Sequence, residues 1–147
     1  VTMPRTVVSN ASTAWKGDLI SGSGTTTLDT SKLGTMDLSW KARSEDSEQG
    51  TTSPEELIGA AHSACYAMQF SNLLAENGTP PTSMDTSAAV SFNVGEGGIT
   101  GIELSVTAKV DGIDDADFQR LAEEAKKTCP VSAALSGVDI TLTATLG

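Results

Sequence analysis

The sequence predicts an α+β fold in a single domain over residues 1–147, and three observations carry that reading. Several short stretches alternate apolar and polar residues with period two, as half-buried strands do. Two longer stretches space their apolar residues by three and four, as helices do. The order is strands, helix, strands, helix, strand, which is a segregated α+β pattern and not a strict βαβ alternation. A length of 147 residues fits one core. The hydrophobic share of 38% and the charged share of 19% are those of a folded globular protein. Aromatic residues are only 4%, so the core is expected to be built from Leu, Ile, Val, Ala and Met. Such a core is moderately deep, and dimer formation would help it.

The N-terminal part reads as three strands. Residues 6–15 alternate in short pieces, and Lys16-Gly17-Asp18 offers a turn. Residues 19–28 are rich in Gly, Ser and Thr, which suits an exposed hairpin strand whose register is weakly specified. Residues 36–42 place Met36, Leu38, Trp40 and Ala42 on one face, a half-buried strand that delivers Arg43 at its end. A polar loop follows over residues 45–52.

Ser53-Pro54-Glu55-Glu56-Leu57 is a helix start: a capping serine, a proline at the first helical position, and a glutamate three residues after the cap. The periodic stretch runs to Glu76, where Asn77-Gly78 and then Pro80-Pro81 stop it. A helix of roughly 24 residues is ~36 Å long. It is apolar nearly all round and is expected to be the buried central helix. Residues 85–94 and 101–110 then form a hairpin across Gly95-Glu96-Gly97-Gly98. A second helix starts at Asp114 or Asp115, carries Phe118, Leu121, Ala122 and Ala125 at helical spacing, and is broken by Cys129-Pro130. Residues 131–135 make a further turn, and residues 138–146 alternate as a last strand.

A net charge of −10 opposes binding to nucleic acid or to an anionic membrane. Its concentrations at residues 45–48 and 111–117 read as solvated turns. With no targeting signal and no long apolar run, the expected location is the cytoplasm. In that compartment a pair of cysteines is more often catalytic or transient than a structural staple.

Cys65 falls on the Leu57/Ile58/Ala61/Met68 face of the long helix and is expected to be largely buried, as core cysteines usually are. Mid-helix, it gains nothing from the helix terminus, so a thiolate there needs a cation from elsewhere. Cys129 sits before Pro130 at a helix break, where backbone N–H groups could lower its pKa. Local physics favours Cys129 as nucleophile, and the residues alone do not order the two. Arg43 is the most interesting cation, against the plain reading of a solvated strand-end arginine. Glu55 in the helix's first turn could hold it. His62, three residues before Cys65, would make a zinc or iron site with the two cysteines only if a fourth ligand were found. Nor does it form a protease-like dyad, since no third group orients it. No cofactor fingerprint is present.

The run Thr52-Ser53-Pro54-Glu55-Glu56-Leu57-Ile58-Gly59-Ala60-Ala61-His62-Ser63-Ala64-Cys65 closely resembles the signature of the OsmC family of hydroperoxide reductases. Cys129-Pro130-Val131-Ser132 is a second match at the family's spacing, and the resemblance covers nearly the whole chain. It implies that Cys65 is the peroxidatic cysteine and Cys129 the resolving one. Glu55 matches the glutamate that pairs with the catalytic arginine, and Arg43 matches the arginine of the OsmC branch. The sister branch, the organic hydroperoxide resistance proteins, takes its arginine from the N-terminal strands, and this sequence has none between Arg5 and Arg43.

The same resemblance implies an intertwined homodimer with sites at the subunit interface. It implies a thiol peroxidase that reduces organic hydroperoxides, with hydrogen peroxide as a further candidate, through a Cys65 sulfenic acid and a Cys65–Cys129 disulfide. An external thiol of dithiol or lipoyl type would restore the pair. Leu57, Met68, Tyr66 and Phe70 are candidates for favouring alkyl peroxides. The rival reading is a non-catalytic redox sensor or binding protein on the same scaffold.

Overall fold

A computed structural model describes residues 5–45 and 50–147. The acidic positions 46–48 of the expected polar loop lie outside the described residues. The chain divides into two compact units, Val1–Pro54 and Glu55–Gly147.

The first unit is a four-stranded sheet in the order β1-β2-β3-β4, from β1 (Ala11–Lys16), β2 (Ser23–Leu28), β3 (Thr35–Leu38) and β4 (Thr51–Thr52). The expected turn after β1 is made by Gly17 at φ 89° and by Asp18, whose carboxylate accepts from the Ser21 amide at 2.7 Å and its hydroxyl at 2.6 Å. That turn shortens the expected 19–28 strand to its C-terminal part. With few apolar residues to set the register of β2, hydroxyls help: Thr13 donates to Thr26 at 3.1 Å, and Thr27 pairs with Thr35 at 2.9 Å.

The expected strand over residues 36–42 is corrected. β3 stops at Leu38, and the Ser39 hydroxyl accepts from the Ala42 amide at 3.1 Å, capping a short helix α1 (Trp40–Ser44). A serine at that position offers the backbone an alternative to the ladder, and the alternation beyond it cannot override a made cap. Arg43 therefore sits in the last turn of α1 and not at a strand end.

The second unit holds α2 (Pro54–Glu76), β5 (Pro81–Asn93), β6 (Gly98–Val110), α3 (Asp115–Thr128), α4 (Pro130–Ala134) and β7 (Asp139–Leu146). Gly78 at φ 82° ends α2, and the Thr79 amide donates back to the Leu74 carbonyl at 2.9 Å. The sheet order is β5-β6-β7, with β5 and β6 antiparallel and β6 and β7 parallel. The parallel pair follows from the connection, since α3 and α4 fill the crossover that parallel neighbours require. Central β6 buries Ile102, Leu104, Val106 and Ala108 on alternate positions.

Two expectations about the core change. Its largest fully buried side chains include Tyr66, Phe70 and Phe118, so the few aromatics sit at its centre instead of leaving it to aliphatics. Phe70 lies 5.7 Å from Tyr66 and 5.2 Å from Phe118 between ring centroids, the tilted geometry that aromatic pairs prefer. These rings also select the inward face of α2. Its buried stripe is Glu55, Gly59, His62, Tyr66, Phe70 and Leu74, while Met68 on the expected face is 75% exposed. An aromatic side chain buries more area than an aliphatic one, so the aromatic positions dominate the helix's orientation.

Candidate active site

Cys65 lies on the shoulder of that stripe and is half-buried, where the Leu57/Met68 face led to the expectation of a largely buried side chain. Cys129 is completely buried. Its φ and ψ of −59° and 122° are extended, as a residue before proline must be, and it closes α3 while opening α4. Its own amide still donates to the Ala125 carbonyl at 2.9 Å, so α3 is finished before the backbone turns.

The fold packs Cys65 against the core cluster that contains Cys129, so each thiol influences the other's ionisation although they come from elements far apart in sequence. Neither is in a disulfide. Burial pushes the Cys65 thiol up, and its proton is further held by donation to Cys129, against a pull from the Val131 amide. Burial pushes Cys129 up too. There it is outweighed by the Ser132 amide, the Cys65 thiol, the Ser132 hydroxyl and the Val131 amide, so Cys129 ends below the ordinary thiol range. The pair therefore holds its remaining proton on Cys65, and the first thiolate of this unit is Cys129.

Beside them, His62 Nε2 lies 2.7 Å from the Ser132 hydroxyl, both buried. Burial lowers the His62 pKa. The Tyr66 hydroxyl donates to the Ala122 carbonyl at 2.9 Å, and burial raises its pKa. It is thus a fixed strut between α2 and α3 and not a group that titrates in the working range. Phe70 is likewise taken up by the core. Among the described residues no three His, Cys, Asp or Glu side chains gather into a metal site, and His62 spends its bonded nitrogen on Ser132.

Of the remaining expected site residues, Glu55 is buried in the first turn of α2 in the second unit, and Arg43 belongs to α1 of the first. Ser132 was visible in the sequence only as the end of a motif. The signal for it was spacing: His62 stands three residues before Cys65 and Ser132 three after Cys129. Once the cysteines meet, their neighbours one turn away meet as well.

A small α+β frame that sets two reduced thiols against each other, one of them acidified by backbone amides, defines a protein of the thiol–disulfide class. Comparison with known proteins makes this specific. The family model described as OsmC-like protein matches residues 44–143, and the chain belongs to the OsmC family. It is 43% identical over 130 residues to Peroxiredoxin OsmC of Escherichia coli, covering 87% of this chain and 89% of that one. It is 32% identical over 94 residues to an organic hydroperoxide resistance protein of Xanthomonas axonopodis pv. citri, covering 63% of this chain and 66% of the relative. In fold it resembles an organic hydroperoxide resistance protein from Elizabethkingia anophelis, with TM-score 0.74 and 22% identity over 99% of this chain and all of that one. A Legionella pneumophila OsmC structure matches with TM-score 0.70 and 23% identity over 97% of this chain and 100% of that one.

Proposed function

We propose that this chain is a thiol-dependent peroxidase that reduces organic hydroperoxides to alcohols, with Cys65 as the peroxidatic and Cys129 as the resolving cysteine. The observation that carries the reading is the meeting of the two thiols in a chain of this family. The family relatives named above, a peroxiredoxin and an organic hydroperoxide resistance protein, support the substrate class.

In this reading the Cys65 thiolate attacks the distal peroxide oxygen. The O–O bond breaks, the alkoxide takes a proton and leaves as alcohol, and Cys65 becomes a sulfenic acid. The Cys129 thiolate then attacks the Cys65 sulfur, hydroxide departs as water, and the disulfide forms. An external thiol of dithiol or lipoyl type returns both cysteines to thiols. Because the reduced pair keeps its proton on Cys65, a cation is needed to move the thiolate there. Arg43, paired with Glu55, is the cation the family resemblance assigns. We also read the chain as one functional domain of a cytoplasmic homodimer. Support for self-association comes from a shallow groove of ≈ 650 Å³ beside α2, where Met68, Pro81 and Met84 lie among small residues and the uncharged polar Ser71, Asn72 and Ser83. No helix among the described residues is long and apolar enough to cross a membrane.

A second reading reverses the two cysteines, and the lowered pKa of Cys129 favours it. Consumption of cumene hydroperoxide and hydrogen peroxide with dithiothreitol or dihydrolipoamide separates the readings. Cys65→Ser should abolish the chemistry, while Cys129→Ser should give one turnover and a trapped sulfenic acid. The opposite pattern would make Cys129 the nucleophile. A wild-type protein that forms the disulfide without sustained turnover would be a redox sensor.

A further inference from the structure

The peroxidase chemistry leaves His62 unused, yet this ring is completely buried in α2 one turn from Cys65. Its Nε2 is 2.7 Å from the Ser132 hydroxyl, and its Nδ1 has no hydrogen-bond partner. That asymmetry fixes the tautomer. A buried N–H left without an acceptor is rarer and costlier than a bare lone pair, so the ring proton sits on Nε2, where an acceptor waits. Ser132 oxygen therefore accepts from the histidine, and its own hydroxyl proton is free to point away from the ring. Ser132 stands three residues after Cys129, one helical turn away at the start of α4, and its hydroxyl is among the groups that lower the Cys129 thiol pKa. Burial keeps the ring neutral, so it passes on a hydrogen bond and not a charge.

We propose that His62 and Ser132 are positioning residues for Cys129, in which the histidine Nε2–H holds the Ser132 hydroxyl as a donor to the Cys129 sulfur and readies that sulfur for attack on oxidised Cys65. The proposal rests on the peroxidase reading and concerns its second step. In the reduced protein the Cys65 thiol and the Ser132 hydroxyl are the two side-chain groups that favour the Cys129 thiolate. When Cys65 becomes a sulfenic acid its thiol donor is lost, and Ser132 is the side-chain donor of the two that remains. The Cys129 electron pair then forms the S–S bond as the S–OH bond of Cys65 breaks. Hydroxide leaves and combines with the proton that Cys129 has given up, so one water is released. His62 and Ser132 gain and lose no proton overall.

The test reads disulfide closure separately from Cys65 oxidation. One equivalent of cumene hydroperoxide is added to the full chain, and dimedone-trapped sulfenic acid and disulfide are quantified by mass spectrometry against time. Ser132→Ala should slow closure relative to oxidation by about tenfold, the scale of one hydrogen bond to a charged acceptor. Ser132→Thr, which keeps the hydroxyl, should restore it, and His62→Phe should slow it less than Ser132→Ala. A companion measurement uses no peroxide. In a Cys65→Ser background, titration of the Cys129 thiolate by ultraviolet absorbance should move up in Ser132→Ala and stay in Ser132→Thr. Closure at the wild-type ratio and an unmoved titration in Ser132→Ala would overturn the relay. Failure of wild-type Cys65 to oxidise would sink the peroxidase reading instead, and the thiolate titration would still decide the relay.

Discussion

At the cysteine pair, donors decide which sulfur keeps the proton, because burial acts against ionisation at both. Cys129 stands at the break that Pro130 makes, where the nearby Ser132 and Val131 amides favour its ionised form, whereas Cys65 lies within a continuous helix. His62 carries a separate pH signature. Burial holds its folded pKa below the ordinary histidine value of 6.5, so below that pH the unfolded chain takes up a proton that the native ring refuses. Stability from this group is intact above pH 6.5 and falls as pH drops toward the folded value, by up to about 1.4 kcal/mol per pH unit. His62→Gln should remove that dependence. Urea midpoints measured between pH 7.5 and 5 check it; parallel curves for the two proteins would contradict it. The cysteines and the Cys129 break were legible in the sequence, because proline and periodicity are local signals. The direction of proton sharing was half-legible: the amides at the break were foreseen, and the Ser132–His62 contact was not, since it depends on two distant elements meeting.

Among the elements, α2 shows why periodicity named the helix but misjudged its inward face. Apolar residues occur on several sides of it, so spacing alone left the orientation open, and the rings of Tyr66 and Phe70 settled it. Gly59 belongs to the chosen stripe, and there the helix passes close to β5. A Cβ at Gly59 would lie 3.2 Å from the Ala88 carbonyl oxygen and 3.6 Å from Val90 Cγ2. Backbone of a sheet strand yields little, so the usual gain of about 1 kcal/mol from replacing a helical glycine by alanine should be largely cancelled. Gly59→Leu should destabilise by about 1–3 kcal/mol through overpacking. Denaturant unfolding of both variants checks this, and a Gly59→Leu protein as stable as wild type would show that α2 can lift from the sheet. The α1 helix carries the opposite lesson. Its capping serine stood in the sequence, but the period-two run around it masked the cap.

For the whole molecule, charge and apolar surface make competing demands. A net charge of −10 on 147 residues opposes close approach of two copies, most strongly at low ionic strength. Against that, the outward side of α2 leaves Met68 75% exposed, and the groove beside it is lined by apolar and uncharged polar side chains. No charged residue lines that groove, so two copies meeting there would remove apolar surface from water without burying a charge. The same absence explains why the sequence reads α2 as apolar nearly all round: the pattern registers surface that a second copy could cover as well as the intramolecular core. If the proposed homodimer uses this face, the 15.1 kDa chain should sediment at twice that mass. Met68→Glu, which adds a desolvated and like-charged carboxylate near any two-fold contact, should shift the population to the monomer. Added salt should strengthen the wild-type dimer by screening the net repulsion while leaving the variant largely dissociated, because screening does not recover the cost of burying its carboxylate. A Met68→Glu protein that stays dimeric at all salt concentrations would place the dimer contact elsewhere on the chain, and a wild-type monomer at high salt would remove the homodimer from the proposed function.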